Sequence, residues 1–377
     1  MKTELKTALV MGIILVVVIG GASAYFSSLE SPIQNTQNQP DESIKTQTFD
    51  NAQKMHIIDK SKFKKAPDLV GIAGYINTSP EELKNTMKDK VVLYDIWTYS
   101  CINCQRTLPY IVAWNDKYAD KGLLIIGIHS PEFEFEKDYN NVKTAVEKFG
   151  IKYPVVLDND HKTWNAFENR YWPRKYIADS EGYIRYDHIG EGGYAETEKI
   201  IQDLLQERSQ LLGLNVAVAQ PLVDLKEHQF NVAQTPELYF GYNFAFGRNQ
   251  LGNSEGFKPD HTVTYSLPQQ LNQDYFYLEG QWQNFDDRMK LVSESGKIVL
   301  PYFAKSVNIV AANESDLQIL FDGKPVTSEN AGTDVQDGTV HISGDRLYNL
   351  ISTKDAGSHT LTIVAKPGFE IYTFTFG

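Results

Sequence analysis

The hydrophobic pattern of the sequence changes its period near residue 213, and this change restricts the chain to a fold in two parts. Over residues 66–212 the pattern switches repeatedly between a strand-like and a helical period, as in a strand at 91–96 followed by a helix at 105–118. After residue 216 the helical period disappears, and short strands recur between Gly, Asn and Asp turns. The pattern predicts an α/β domain over residues 61–213 and an all-β sandwich, similar to a jelly roll, over residues 214–377.

Composition supports this two-part reading and excludes some classes of function. The 377 residues are 42% hydrophobic and 12% aromatic, which is enough to bury two cores and excludes a mainly disordered chain. A formal net charge of -12 opposes binding to a polyanion, so we expect no nucleic-acid partner.

An uncharged apolar run at the N-terminus indicates export. Residues 8–26 contain no charge and as a helix would reach about 28 Å, close to the thickness of a hydrocarbon core. Lys2 and Lys6 precede the run, and the next basic residue is Lys45, so the N-terminus is expected to remain in the cytoplasm. The sequence predicts a single membrane anchor at residues 1–26, a flexible tether at 27–60 and an extracytoplasmic catalytic region. The alternative is a secreted protein whose signal peptide is cleaved at Ala24.

The two cysteines of the chain form a Cys-Ile-Asn-Cys motif. Cys101 and Cys104 lie where the strand at 91–96 passes into the following helix. Free amide groups and the helix dipole stabilise a thiolate at Cys101, and Cys104 lies one turn further on, in position to attack a mixed disulfide. The motif predicts thiol-disulfide exchange without a cofactor. Two alternatives are a zinc site, for which two cysteines are half a ligand shell, and an inert structural disulfide.

The residues around this motif resemble the active site of thioredoxin-fold proteins, and more narrowly the soluble region of DipZ-type and TlpA-like thiol-disulfide oxidoreductases. The resemblance rests on an Asp six residues before Cys101, a Trp four before it and Pro109 five after Cys104. It continues at residues 66–68, 129–133 and 171–173, and in the second half at 238–242, 278–282, 346–348 and 374–377. DipZ-type proteins carry a multi-span membrane domain in front, where this chain has one apolar segment.

The resemblance implies roles for further residues. Asp95 would be a buried carboxylate with a raised pKa that exchanges protons with Cys104. Pro173 would be a cis-proline beside the cysteines that presents the preceding backbone to an extended substrate. Trp172 departs from the small or aliphatic residue of ordinary thioredoxins, which points to different substrates. Ile102, Asn103, Trp172 and Pro173 are therefore the predicted substrate-binding residues.

Other residues near the motif have more ordinary interpretations. Trp97 and Pro109 are predicted to be structural residues near the site. Glu132, Glu134 and Glu136 are interpreted as a solvated loop, because carboxylates in series need a defined cage to hold a cation. Arg106 could steer a negatively charged partner or simply belong to a solvated helix face.

The β half carries no motif of comparable specificity. Tyr275, Tyr277 and Trp282 could form a platform for a sugar or a peptide, but cross-strand core packing explains them with fewer assumptions. Contact with a carbohydrate or a protein is thus a weak expectation for this half.

These observations favour an exported, membrane-tethered thiol-disulfide oxidoreductase that acts on protein thiols or disulfides and receives electrons from a membrane donor, with cytochrome c biogenesis as a setting by family analogy. One alternative is a thiol peroxidase, although Tyr94 stands where that class expects a proline. The other is a non-catalytic surface binding protein that uses the β half.

Overall fold

The structure is a computed structural model that describes residues 59–218, 221–228, 234–248 and 250–377. The predicted anchor at residues 1–26 and residues 27–58 of the predicted tether lie outside the described residues. Within the described ranges, none of the helices combines the length and the apolar character that a membrane span requires.

The first half forms a six-stranded mixed sheet in the order β1-β4-β3-β2-β5-β6, with helices packed against it. Its strands are β1 (Gly74–Ile76), β2 (Val91–Trp97), β3 (Leu123–His129), β4 (Val155–Leu157), β5 (Arg174–Ala178) and β6 (Ile184–Ile189). The helices are α1 (Pro80–Thr86), α2 (Ile102–Tyr118), α3 (Tyr139–Lys148), α4 (Lys162–Ala166) and α5 (Tyr194–Leu211). Strands β2, β3 and β4 run parallel, whereas β1, β5 and β6 pair antiparallel to their neighbours. This is the thioredoxin-like α/β domain that the sequence predicted.

Strand β2 is central to the sheet and is buried along its whole length. Successive side chains of a strand point to opposite faces, so Leu93 and Trp97 enter the core that contains α2 and α5. Tyr94 and Ile96 enter the opposite core, which includes Leu83 of α1. The same alternation puts Asp95 on the face of Leu93 and Trp97, which is the face of the cysteine-bearing helix α2.

The second half is rich in β-strands, which confirms the coarse prediction. Its elements are β7 (Leu238–Tyr239), α6 (Tyr242–Ala245), β8 (Thr262–Tyr265), β9 (Tyr277–Asn284), β10 (Met289–Leu291), β11 (Gly296–Ala312), β12 (Ser315–Phe321), β13 (Lys324–Pro325), β14 (Val335–Gln336), β15 (Thr339–Ile342), β16 (Arg346–Ala365) and β17 (Glu370–Phe376). Their inward side chains, from Leu238 to Phe376, form one hydrophobic core.

Hydrogen bonds connect these strands into one eleven-stranded sheet rather than two separate ones. The reason is the length of β11 and β16, which have 17 and 20 residues. The first part of β11 pairs with β9, and its last part pairs with β17. Strand β10 lies between β9 and β17 and pairs with each of them. The sequence analysis predicted only short strands here and did not anticipate the length of β11 and β16, whose pairing continues through bulges at Ala304/Ser306 and Val307/Asn308.

The two halves meet in an aromatic cluster. Phe133, which follows β3, is 2% exposed and packs against Tyr372 of β17 with ring centroids 5.0 Å apart. Phe135 meets the same Tyr372 ring edge to face at 4.8 Å. The hydroxyl of Tyr99 donates a hydrogen bond to the backbone oxygen of Asp345 in the second half, at 3.0 Å. Buried aromatic contacts of this kind bind the two halves into one compact unit.

We expect Phe133→Ala to lower the free energy of unfolding by about 3–5 kcal/mol, because it leaves a cavity at the junction of the two halves. Chemical denaturation would measure the loss. Phe246→Ala is the matched control, since that side chain is 90% exposed and its removal should change stability by about 0.5 kcal/mol or less. Equal effects of the two substitutions would show that the junction contributes nothing to stability.

Candidate active site

The two cysteines sit at the start of helix α2, as the sequence predicted. Cys101 is the N-cap residue with extended backbone, and its Sγ accepts a hydrogen bond from the backbone amide of Cys104 at 3.4 Å. Cys101 is partly exposed, whereas Cys104 is 1% exposed, and both thiols are free. The N-terminal amides of a helix stabilise an anion, so this geometry favours Cys101 as the attacking thiolate and Cys104 as the resolving thiol.

The loop before Cys101 is buried and is held by two side chains from outside it. Glu136 accepts hydrogen bonds at one oxygen from the amide and the hydroxyl of Ser100, at 3.3 and 2.6 Å. The buried imidazole of His129 accepts a hydrogen bond from the amide of Tyr99 at 3.3 Å. Burial lowers the pKa of His129 to about 3, so the ring is a neutral structural acceptor at physiological pH. These contacts set the position from which α2 begins.

Asp95 lies on β2, is 1% exposed, and has a carboxylate oxygen, Oδ1, with no hydrogen-bond partner among the described residues. Burial raises its pKa to about 6, an effect that the charge of Lys175 partly opposes. Burial and the neighbouring thiol of Cys101 raise the pKa of Cys104 well above its ordinary value, and the charge of Asp95 adds to this. A resolving thiol of this kind needs a proton acceptor before it can attack, and a carboxylate that titrates near neutrality suits that task.

Lys175 is a buried cation that the sequence analysis missed. It stands opposite Asp95 in the antiparallel pairing of β2 with β5, so the two side chains share a face of the sheet. It is fully buried, and its amine donates a hydrogen bond to the backbone oxygen of Gly190 at 3.0 Å. Burial lowers its pKa, while Asp95 and Cys104 act in the opposite direction. The sequence did contain a signal for this buried cation, because Lys175 stands in a strand that is otherwise largely apolar, two residues after the predicted cis-proline.

The Trp172–Pro173 peptide bond is cis. Pro173 is buried, and its carbonyl oxygen accepts a hydrogen bond from the amide of Gly190 at 2.8 Å. The indole of Trp172 donates to the backbone oxygen of Ser130 at 2.9 Å, and its ring lies 4.3 Å from that of Trp164. Trp172 is therefore held from two sides and stays partly exposed, and its predicted role in substrate binding stays a prediction.

The two residues between the cysteines face the second half of the protein. Ile102 and Asn103 line a cavity of about 240 Å³ together with Thr375, Phe376 and other residues. Strand β17 of the β-rich half thus forms one wall of the cavity beside Ile102 and Asn103. Of the residues predicted to be structural, Trp97 is fully buried with its ring 5.2 Å from that of His129. Pro109 lies on the exposed side of α2.

One interpretation from the sequence, the solvated acidic run, needs revision, and another, core packing of the aromatic residues in the β half, is supported. The acidic run after β3 is not uniformly solvated, because Glu136 is fully buried and also accepts hydrogen bonds from the amides of Glu132 and Phe133 at 2.6 and 3.0 Å. The interpretation failed because sequence alternation does not reveal backbone amides that turn inward. In the β-rich half, Tyr277 and Trp282 are 2% and 0% exposed, which agrees with core packing.

Comparison with known proteins agrees with this geometry. Residues 63–205 match the Redoxin family, and residues 235–377 match the family described as thioredoxin like C-terminal domain. Protein DipZ of Mycobacterium bovis is 36% identical over 317 residues, which cover 83% of this chain and 43% of DipZ. The chain therefore spans less than half the length of that relative.

Two shorter proteins match the first half. Thiol-disulfide oxidoreductase YkuV of Bacillus subtilis is 31% identical over 143 residues, which cover 37% of this chain and 94% of YkuV. A solution structure of a thioredoxin-like protein in the oxidized form is 29% identical, with a TM-score of 0.35, and the match covers 40% of this chain and 99% of that one. The chain belongs to the thioredoxin-like thiol-disulfide oxidoreductases.

We expect Asp95→Asn to make the protein more stable above about pH 6 and slower in its chemistry. Burial raises the pKa of Asp95 from 3.8 to about 6. Between these two pH values the folded state binds more protons than the unfolded state, so the folded state loses stability as the pH rises from about 4 to about 6. Asparagine removes this loss, which corresponds to a gain of about 1–3 kcal/mol at neutral pH and none below about pH 4. Release of the mixed disulfide should slow by about tenfold or more.

Denaturation at several pH values and a stopped-flow measurement of mixed-disulfide release would check both parts of this prediction. Earlier melting with an unchanged rate would instead make Asp95 a structural hydrogen-bonding residue.

We expect Lys175→Met to raise the pKa of Asp95 further, by about one unit, because the substitution removes a buried positive charge that favours the carboxylate. Carbon NMR of the Asp95 carboxyl group across pH would measure the shift. Lys88→Met, at an exposed position of the same domain, is the control and should leave the titration in place. An unchanged titration in Lys175→Met would show that the two groups do not interact.

Proposed function

We propose that this oxidoreductase is exported and membrane-tethered, and that it reduces or isomerises disulfides of extracytoplasmic proteins with electrons from a membrane donor. The observation that carries the proposal is the arrangement of a partly exposed Cys101 at a helix N-terminus, a buried Cys104 one turn on, and a buried Asp95 on the same face of the sheet. Cytochrome c biogenesis is the setting that the resemblance to TlpA-like proteins favours.

The reaction proceeds by two exchanges. The Cys101 thiolate attacks one sulfur of a substrate disulfide, which forms a mixed disulfide and releases the first substrate thiolate. Cys104 gives its proton to Asp95, directly or through water, and its thiolate attacks the Cys101 sulfur. The second substrate thiolate leaves and takes up a proton. Two electrons have then passed from the cysteine pair to the substrate, and Cys101 and Cys104 are joined in a disulfide that the donor must reduce.

One feature of the motif favours a reductant or an isomerase over an oxidase. Neither Ile102 nor Asn103 is the histidine that stabilises the thiolate of strong oxidases. Exported compartments tend to oxidise thiols, so a reductant there requires a supply of electrons from the membrane.

The tether is proposed from the sequence. The uncharged run of residues 8–26, with Lys2 and Lys6 before it, is longer than the usual core of a signal peptide. Fractionation of cells that express the full chain would test this, because an anchored protein stays in the membrane after a salt wash. Release of a fragment that begins after Ala24 would show cleavage instead.

We expect Cys101→Ser to abolish reduction of insulin disulfides by the full chain with dithiothreitol as reductant, because the attacking sulfur is lost. Cys104→Ser should accumulate a mixed disulfide between Cys101 and the substrate, visible on a non-reducing gel. Wild-type turnover in Cys101→Ser would overturn the proposal.

The same preparation separates the two alternatives. Rapid consumption of hydrogen peroxide by the reduced protein would favour a thiol peroxidase. A reduction potential below about −300 mV would favour a binding protein with a structural disulfide, because such a bond resists exchange.

A further inference from the structure

A second, larger cavity lies along helix α2 beyond the cysteines. It has a volume of about 870 Å³ and is lined by Arg106 and Tyr110 of α2, by residues 226–228, and by parts of β11 and β16. It shares Gln234 with the small cavity beside Ile102 and Asn103, so the two cavities adjoin each other. A chain segment that enters the small cavity beside Ile102 and Asn103 can continue past Gln234 into the larger one.

The lining of the larger cavity is rich in cations. Arg106, Lys226, Lys305 and Lys354 face two acidic residues, Glu227 and Asp355, in a chain whose formal net charge is -12. Among the described residues, no carboxylate forms an ion pair with Lys226, Lys305 or Lys354, although many other lysines of the chain are paired. Three unpaired ammonium groups around one cavity create a positive potential that is available to a partner.

The pKa values of two residues in the lining, His228 and Arg106, reflect the charges around the cavity. Partial burial lowers the pKa of His228, and the charges of Arg106 and Lys305 lower it further. Burial lowers the pKa of Arg106, and its ion-pair partner Glu191, 3.4 Å away, opposes this effect, so the positive potential rests on the three lysines.

The segment that carries Lys226 is fixed against the first half of the protein. The hydroxyl of Tyr110 donates a hydrogen bond to the backbone oxygen of Leu225 at 2.9 Å. The amide of Val223 donates to Glu198 at 2.7 Å, and Glu198 is also paired with Lys117. The backbone next to Lys226 is therefore held against the first half of the protein.

We propose that this cavity binds an acidic segment of the protein substrate, close in sequence to the cysteine that Cys101 attacks. The inference rests on the proposed function, and it adds the class of substrate. The cations come from α2, residues 226–228, β11 and β16, a spread that suits several carboxylates along a chain better than one small anion.

The helix geometry sets the spacing. Arg106 and Tyr110 lie five and nine residues after Cys101, which corresponds to about 8 and 14 Å along a helix axis. An extended chain covers that distance in about two to four residues. The small cavity contains Glu191 and Glu237, so acidic residues directly beside the substrate cysteine should be unfavourable.

The test uses the full chain and two otherwise identical disulfide-linked peptide dimers, with dithiothreitol as reductant. One dimer has Asp two to four residues from its cysteine, on either side in turn, and the other has Ser there. We expect the wild-type protein to reduce one of the Asp peptides with a kcat/KM about tenfold higher than that of the Ser peptide. The preference should disappear in about 0.5 M salt, where charges are screened.

Lys305→Glu combined with Lys354→Glu should lower the ratio of the two kcat/KM values about tenfold. Lys324→Glu combined with Lys366→Glu makes the same charge change at exposed positions of the same half that do not line the cavity, and it should leave the ratio unchanged. Equal rates for the Asp and Ser peptides, a preference that survives high salt, or equal loss in both double variants would overturn the inference. If the wild-type protein reduces no peptide at all, the proposed function fails as well.

Discussion

The buried carboxylate of Glu136 is the interaction on which the arrangement of the site depends. One of its oxygens accepts hydrogen bonds from Ser100, immediately before the reactive cysteine, and the other accepts from the amides of Glu132 and Phe133. Phe133 in turn packs on Tyr372 of the β-rich half. A single buried anion thus connects the active-site loop to the junction of the two halves. Burial raises the pKa of Glu136, and these hydrogen bonds oppose that effect because they favour the charged form.

Burial of charge also prepares the chemistry. Asp95 and Lys175 occupy opposite positions on β2 and β5, inside a core that would otherwise exclude both. Placing ionisable groups there costs stability, since the carboxylate titrates at about pH 6 instead of its ordinary value. The same cost supplies a proton acceptor close to neutral pH, next to a thiol whose own pKa is raised. Stability and reactivity are therefore set by the same residues.

The β-rich half contributes residues to both cavities near the cysteine pair. Thr375 and Phe376 line the cavity beside Ile102 and Asn103, and Lys305 and Lys354 line the adjoining one. A substrate that approaches Cys101 meets surfaces from both halves. Under the proposed function, this arrangement would let the β-rich half influence substrate choice without a catalytic residue of its own.

The sequence by itself determined the elements and the reactive pair. The apolar periodicity of residues 91–97 and the position of Cys101 after them are local properties, so the strand, the helix that follows and the N-cap cysteine were predictable. The burial of Asp95 was expected from the resemblance to thioredoxin-fold active sites, and the structure places it on the face of Leu93 and Trp97.

Only the tertiary structure decided the rest, since it depends on contacts between residues far apart in the chain. Asp95 and Lys175 are 80 positions apart in the sequence and become neighbours through strand pairing. Glu136 looked solvated because its hydrogen-bond donors are the Ser100 hydroxyl, 36 positions away, and three backbone amides, none of which a sequence pattern displays. The length of β11 and β16 was not predicted, because the bulges through which their pairing continues depend on contacts between distant residues. Local sequence sets which groups are available, and long-range packing sets which of them meet.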